Sequence, residues 1–206
     1  MNESGGHPNP DAIWRPRFPR LFETRTHDFA GVGYGHLSLS FTLSAPPDDL
    51  VSNVRVIGLN QGRVVVCSND LGWRFLPGGT REPGEQVRHT AERELLEEAG
   101  AVFSGPMTKV GAFKVHNSAD PYRPHLPHPD SYWLYVTADV EIRQPPTNPA
   151  DGEYVTEVLE LPPVQAIEYL APFDVIMTDT LRLFFEMSGI ERGSPVKPVG
   201  PERGSE

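Results

Sequence analysis

"GGTREPGEQVRHTAERELLEEAGA" occupies Gly78–Ala101, and it poses a problem of charge. Glu94, Glu97 and Glu98 crowd one short segment, and like charges three or four positions apart on a helix repel. Stepping about 100° per residue from Arg93, Val87, Ala91, Leu95 and Ala99 fall within roughly 120–240° and form an apolar stripe. Arg93, Glu97, Glu94 and Glu98 fall within roughly 0–140°, beside that stripe rather than opposite it. The pattern predicts a helix from about Glu85 to Ala99, stopped by Gly100 as a left-handed C-cap. His89 and Glu92 lie on its far side and read as solvated. A wet surface is the ordinary explanation of a Glu-rich helix. It sits badly with carboxylates next to a core, where lost hydration sharpens their repulsion. Glu97 and Glu98 also lie near the helix C-terminus, where the macrodipole disfavours negative charge. Upstream, Gly78–Gly79 reads as a turn able to bring a backbone carbonyl close to a ligand. An all-oxygen set of this kind suits a resident Mg²⁺ or Mn²⁺.

Outward from this segment, short strands and turns dominate. "GWRFLPGG" reads as a strand ending in a Pro-Gly-Gly turn. "NVRVIGL" and "RVVVCS" flank Asn60–Gly62, a hairpin signal. His36–Ser44 alternates apolar and polar residues, as a half-buried strand does. Downstream, "KVGAFKVH", "SYWLYVTADV" and "EYVTEVLEL" read as strands, and "PPVQAIEYLAP" and "FDVIMTDTLRLFFEMSG" as helices. A loop with four prolines, "NSADPYRPHLPHPD", joins the first two of those strands. Long loops of this kind often carry function. This order predicts a mixed α/β (α+β) sandwich, a mixed sheet between helices, with an extra N-terminal strand. The expected organisation is a disordered tail at 1–12, an N-terminal extension with one strand at 13–52, a single main domain at 53–190 and a disordered tail at 191–206.

Composition narrows the function classes. The 206 residues are 38% hydrophobic and 22% charged, with a formal net charge of -10. That balance argues against nucleic-acid binding, which depends on clustered Lys and Arg. No apolar run approaches a membrane span, and the N-terminus lacks a signal peptide's basic and apolar regions, so the expectation is a cytoplasmic protein without membrane contact. The single cysteine, Cys67, reads as a buried strand thiol. An acidic protein that binds phosphates needs a bridging cation.

The segment resembles the Nudix box: Gly, five residues, Glu, seven residues, Arg-Glu, an aliphatic residue, any residue, Glu-Glu, any residue, Gly, and an aliphatic residue. Gly79, Glu85, Arg93, Glu94, Glu97, Glu98 and Gly100 fill every fixed position, and Leu95 the first aliphatic one. Ala101 is a small residue where the pattern has a larger aliphatic one. Seven such matches arise by chance about once in 10⁸ start positions at usual residue frequencies. The match proper covers Gly79–Ala101, and the wider order of elements extends the resemblance from about Asn53 to Met187.

The resemblance implies the Nudix fold and a hydrolase that cleaves the diphosphate linkage of a nucleoside diphosphate joined to another moiety. It implies Glu97 and Glu98 as metal ligands, Glu94 as ligand or general base, and the Gly78 carbonyl as a further ligand. It casts Arg93 as the residue that orients the carboxylates, and Glu85 as the one that holds the loop–helix geometry. Some relatives place the base on a later loop, where Glu153 or Glu157 stands here. The Pro about fifteen residues past the box, or the Tyr slightly further, that marks certain subfamilies is not met: His116 stands fifteen residues after Ala101. Trp73, Phe75, Tyr132 and Trp133 are candidates to stack a base, although aromatics alternating on strands more often belong to the core. His125 and His128 have a spacing that suits a metal but lack evident partner ligands, and a lid over the phosphates is the preferred reading of their loop. A homodimer joined through the extra N-terminal strand is a further expectation. The rival from another class is a Nudix-like domain that binds a nucleotide without cleaving it, and such domains commonly lose a box carboxylate. An isoprenoid diphosphate isomerase would need Cys67 as an active-site thiol with an acid–base partner beside it.

Overall fold

A computed structural model describes residues 9–28, 36–149 and 154–190. Its centre is a ten-stranded mixed sheet. The strands are β1 (Arg25–Asp28), β2 (His36–Thr42), β3 (Val51–Asn60), β4 (Arg63–Asn69), β5 (Arg74–Phe75), β6 (Gly78–Thr80), β7 (Ala101–Phe103), β8 (Thr108–Asn117), β9 (Asp130–Ile142) and β10 (Val155–Leu161). They run β1-β2-β8-β9-β3-β4-β10, with β5 on β4, β6 on β3 and β7 on β9. Only β3 and β9 pair in parallel among the described strands.

Helices cover both faces. Residues two apart on a strand share a face, so Cys67 and Ser68 mark the two sides of β4. The Cys67 thiol donates to the Glu98 carbonyl of α3 (Val87–Ala99), while Arg74, in register with Ser68, stacks on Tyr169 of α4 (Pro163–Leu170). The long C-terminal helix α5 (Val175–Ser188) is capped by Asp174, whose carboxylate accepts from the Ile176 and Met177 amides.

The expected helix and hairpin are present. Helix α3 begins two residues later than predicted because Gln86 is the extended N-cap. Gly100 is left-handed at φ 60, and a Cβ there would fall on the Gln144 carbonyl. The β3–β4 hairpin turns through Gln61 and Gly62, both at positive φ, as two-residue hairpin loops require.

Three features differ from the sequence reading. Gly78 and Gly79 are strand residues rather than a turn: β6 pairs with β3, Gly78 opposite Arg55. Strand β7 fills what read as a connection. The N-terminal segment is more than one added strand, because helical turns α1 (Asp11–Trp14) and α2 (Pro19–Phe22) precede β1 and β2. Leu21 and Phe22 are buried in the common core with Leu181 and Phe185 of α5, and Arg20 forms a two-pronged pair with Asp179. Asp11, inside the stretch expected to be a tail, is buried and accepts from the Leu43 amide at 2.7 Å. The rest of that tail before residue 9, the C-terminal tail 191–206 and Glu153 lie outside the described residues.

Candidate active site

Strand β6 and helix α3 together build the site. Gly78 has φ +147, and a Cβ there would collide with the backbone of Val54 and Arg55. No side chain fits between β6 and β3. At Gly79 a Cβ would fall instead on the Glu94 carboxylate, so the bare backbone lets that carboxylate pack against the strand. The Gly78 amide donates to Glu98 Oε2 at 2.7 Å. The Gly78 carbonyl accepts from Arg55 Nη1 at 2.6 Å.

Arg93 is the hub of the acidic cluster. Its Nε and Nη2 donate to the two oxygens of Glu85 at 2.7 and 3.2 Å. Its Nη1 reaches Glu94 Oε1 at 2.8 Å and Glu97 Oε2 at 3.1 Å, and Nη2 also donates to the Thr80 carbonyl. Part of the opening charge problem is therefore solved within the chain, by a guanidinium among the carboxylates. The carboxylate of Glu85 further accepts from the Glu82 amide and the Thr90 hydroxyl, closing the loop onto the helix.

The environments split the carboxylates. Burial pushes the Glu94 carboxyl above the usual range, and the charge of Arg93 only partly offsets it. Burial works the same way on Glu85, but hydrogen bonds from Arg93, the Glu82 amide and Thr90 outweigh it and hold that carboxyl below its usual range. Arg93, despite burial, is held charged by Glu85 and Glu94. The Glu97 carbonyl accepts from the Thr147 amide, and the Glu98 carbonyl from Cys67. Bonds to neighbouring segments thus satisfy carbonyls in the last turn of α3.

Residues 50–184 match the family model of the Nudix domain. The chain belongs to the Nudix family. A Nudix hydrolase with every fixed box position filled has, in this chain, Glu94, Glu97 and Glu98 on one helix against β6 and Glu85 on the loop that precedes that helix. A point-mutant form of the Bacillus subtilis pyrophosphohydrolase BsRppH is similar in structure: 20% identical, covering 81% of this chain and 99% of that one, with a TM-score of 0.53. At that identity the likeness speaks for the Nudix fold alone. The E. coli ORF135 protein is 16% identical over 71% of this chain and 100% of its own, at TM-score 0.47. A MutT Nudix hydrolase from Burkholderia pseudomallei is 16% identical over 64% and 95%, at 0.44. No curated protein sequence matches the chain.

The other expected site residues are scattered. Phe75 is buried at 7% exposure opposite Cys67, a core ring rather than a platform for a base. Tyr132 is half-buried on β9 between Val51 and Lys114, Trp133 is half-buried, and Trp73 is 60% exposed. Glu157 is exposed on β10 and accepts from the Tyr169 hydroxyl. His125 and His128 do not converge: His125 Nε2 donates to the Arg81 carbonyl at 2.9 Å and His128 Nε2 to the Ala119 carbonyl at 2.8 Å. The first bond lays the proline-rich loop against the box loop. Cys67 is buried, with its thiol pushed well above its usual value by that burial, an inert environment for sulfur.

Sequence reasoning missed Arg55. Its one signal was a lone charge inside the apolar strand "NVRVIGL".

Proposed function

We propose that this Nudix hydrolase is a Mg²⁺- or Mn²⁺-dependent pyrophosphohydrolase. Its substrate is a nucleoside diphosphate linked to another moiety, of the nucleotide, nucleotide-sugar, ADP-ribose or oxidised-nucleotide type, met in the cytoplasm. The observation that carries this reading is the gathering of Glu94, Glu97, Glu98 and the Gly78 backbone around one strand–helix junction, with Arg93 bridging three carboxylates.

The donor chemistry fits a hard divalent cation, since every candidate ligand is an oxygen. Among the described residues no three His, Cys, Asp or Glu side chains form a ready-made cage. Mg²⁺ does not require one: it commonly takes one or two carboxylates and leaves the remaining positions to water and substrate phosphates. Glu97, Glu98 and the Gly78 carbonyl are the groups that would hold it, with Glu94 as ligand or base. When bound, the ion neutralises phosphoryl charge and acidifies a water. The protein's own part is positioning. Arg93 fixes Glu94 and Glu97 relative to Glu85, and the Gly78 amide fixes Glu98. Glu94 Oε1 is engaged by Arg93, which leaves Oε2 to accept a proton.

The test is nucleotide or phosphate release from 8-oxo-dGTP, ordinary dNTPs, ADP-ribose, nucleotide sugars, NADH and dinucleoside polyphosphates, with Mg²⁺ or Mn²⁺. Glu98→Gln keeps an oxygen for the Gly78 amide but removes the charge. It is expected to cut turnover by at least about 10²-fold. Metal-dependent binding of a panel member without turnover would overturn the hydrolase reading in favour of a sensor.

A further inference from the structure

Two arginines approach the box loop, and their surroundings differ. Arg93 spends its donors on Glu85, Glu94, Glu97 and the Thr80 carbonyl. It cannot turn to a substrate without releasing the carboxylates. Arg55 lies on β3 directly opposite Gly78 and rests on two neutral backbone oxygens, donating from Nη1 to Leu76 O at 3.2 Å and Gly78 O at 2.6 Å. It forms no ion pair with any described residue. A guanidinium carries five N–H donors, and those on Nε and Nη2 meet no acceptor among the described residues. The residue is only half-buried. Its charge is felt at the site, where it opposes the burial-driven rise of the Glu94 carboxyl.

Gly78 separates this cation from the carboxylates. Its carbonyl touches Arg55 and its amide touches Glu98. With one residue's backbone between them, the guanidinium and the Glu98 carboxylate are no more than about 9 Å apart. A phosphoryl group with one contact on each side, each about 2–3 Å long, spans a gap of that size. An unneutralised guanidinium edge suits such a group, because its fork matches phosphate oxygens two at a time. In a chain of net charge -10, a cation beside the box that has no carboxylate partner among the described residues is the feature a diphosphate would use.

We propose that Arg55 is a substrate-contacting residue: its Nε–Nη2 edge takes a phosphoryl oxygen of the diphosphate from the sheet side, while Nη1 keeps hold of the Gly78 carbonyl. This assignment rests on the diphosphate reading above and extends it to a residue outside the box.

The test uses the full chain with imidodiphosphate, a diphosphate that resists hydrolysis, and Mg²⁺, titrated by calorimetry. Mn²⁺ binding without nucleotide is followed separately by electron paramagnetic resonance. Arg55→Gln retains a donor for the backbone carbonyls and loses the charge. It is expected to weaken imidodiphosphate binding about 10–100-fold, the worth of charge-assisted bonds, and not to weaken Mn²⁺ binding, because it removes a positive charge bonded to the Gly78 carbonyl beside the metal site. A purely structural role for Arg55 would move both affinities together, and that result overturns the proposal, as does unchanged imidodiphosphate binding. Should the glutamine variant fail to fold, Arg55→Lys carries the test. It keeps the charge but not the fork, and a weakening of about 3–10-fold is expected, with unchanged affinity overturning the proposal. Wild-type binding without turnover of any panel member, weakened in Arg55→Gln, upholds Arg55 and sinks the hydrolase reading. Wild-type turnover with an unaffected Arg55→Gln sinks Arg55 alone.

Discussion

The box segment is held by near neighbours and the N-terminal segment by remote ones. Arg93 reaches Glu85 across eight residues of chain, whereas Arg20 reaches Asp179 across 159. Both regions are ordered and both bury charge, yet their stability has different origins. Around the box, hydrogen bonds and ion pairs within one loop and helix fix the side chains. In the N-terminal segment, Leu21 and Phe22 are fixed by a core assembled from helices and strands far along the chain. Nearness along the sequence does not predict how firmly a segment is built in.

Three substitutions would sharpen or break that contrast. The largest effect is expected from Leu21→Ala, which empties a fully buried site and should lower unfolding free energy by about 3 kcal/mol, read from urea midpoints. A cost under about 1 kcal/mol would mean the N-terminal turns are only loosely docked. Arg93→Gln removes the cation from three carboxylates. Arg93 retains 23% side-chain exposure, so the cost should fall between exposed-pair and buried-pair values, about 2 kcal/mol at pH 7. Its pH dependence carries a definite sign. The folded-state carboxyl of Glu85 is held below its unfolded value, so this pairing stabilises the protein above the unfolded pKa of about 4.3. That stability is lost as pH falls through the lower folded value. The gap between wild type and variant should therefore narrow on acidification below about pH 4, and a gap that widens there would contradict the assignment. The smallest effect belongs to Glu92→Ala. It removes only an exposed i,i+4 pair with Arg88 and should cost no more than about 0.5 kcal/mol, within the scatter of thermal melts.

The same contrast explains what the sequence made legible. The 3.6-residue period of Val87, Ala91, Leu95 and Ala99 is a local signal, and so is Gly100 at the helix end; all four apolar residues are buried and Gly100 has the expected left-handed conformation. The two-residue turn at Gln61–Gly62 was equally readable. Strands β6 and β7 have three residues each, too few to show a period, and exist because β3 and β9 offer them edges. The turns α1 and α2 have four residues each and owe their order to remote partners. Within the site, the spacing of the glutamates was visible and the role of Arg93 could be anticipated from the box. The placement of Arg55 beside Gly78 could not, because it depends on the register between β3 and β6. The burial of Phe75 was hidden for a related reason. Alternation on a strand does not say which face a helix covers, and Phe75 proved to lie inside.

The parallel pairing of β3 with β9 has a kinetic side. Thr137 donates to the Ile57 carbonyl across 80 residues, and closing a loop of that reach costs chain entropy before any contact compensates it. Strand β3 carries Arg55 and receives Gly78 and Gly79, so the strand that frames the carboxylates is itself flanked by a partner that arrives late along the chain. The helix can wind from its own sequence. The sheet that carries the Gly78 backbone met by Glu98 of that helix is completed only when two distant strands, β3 and β9, join.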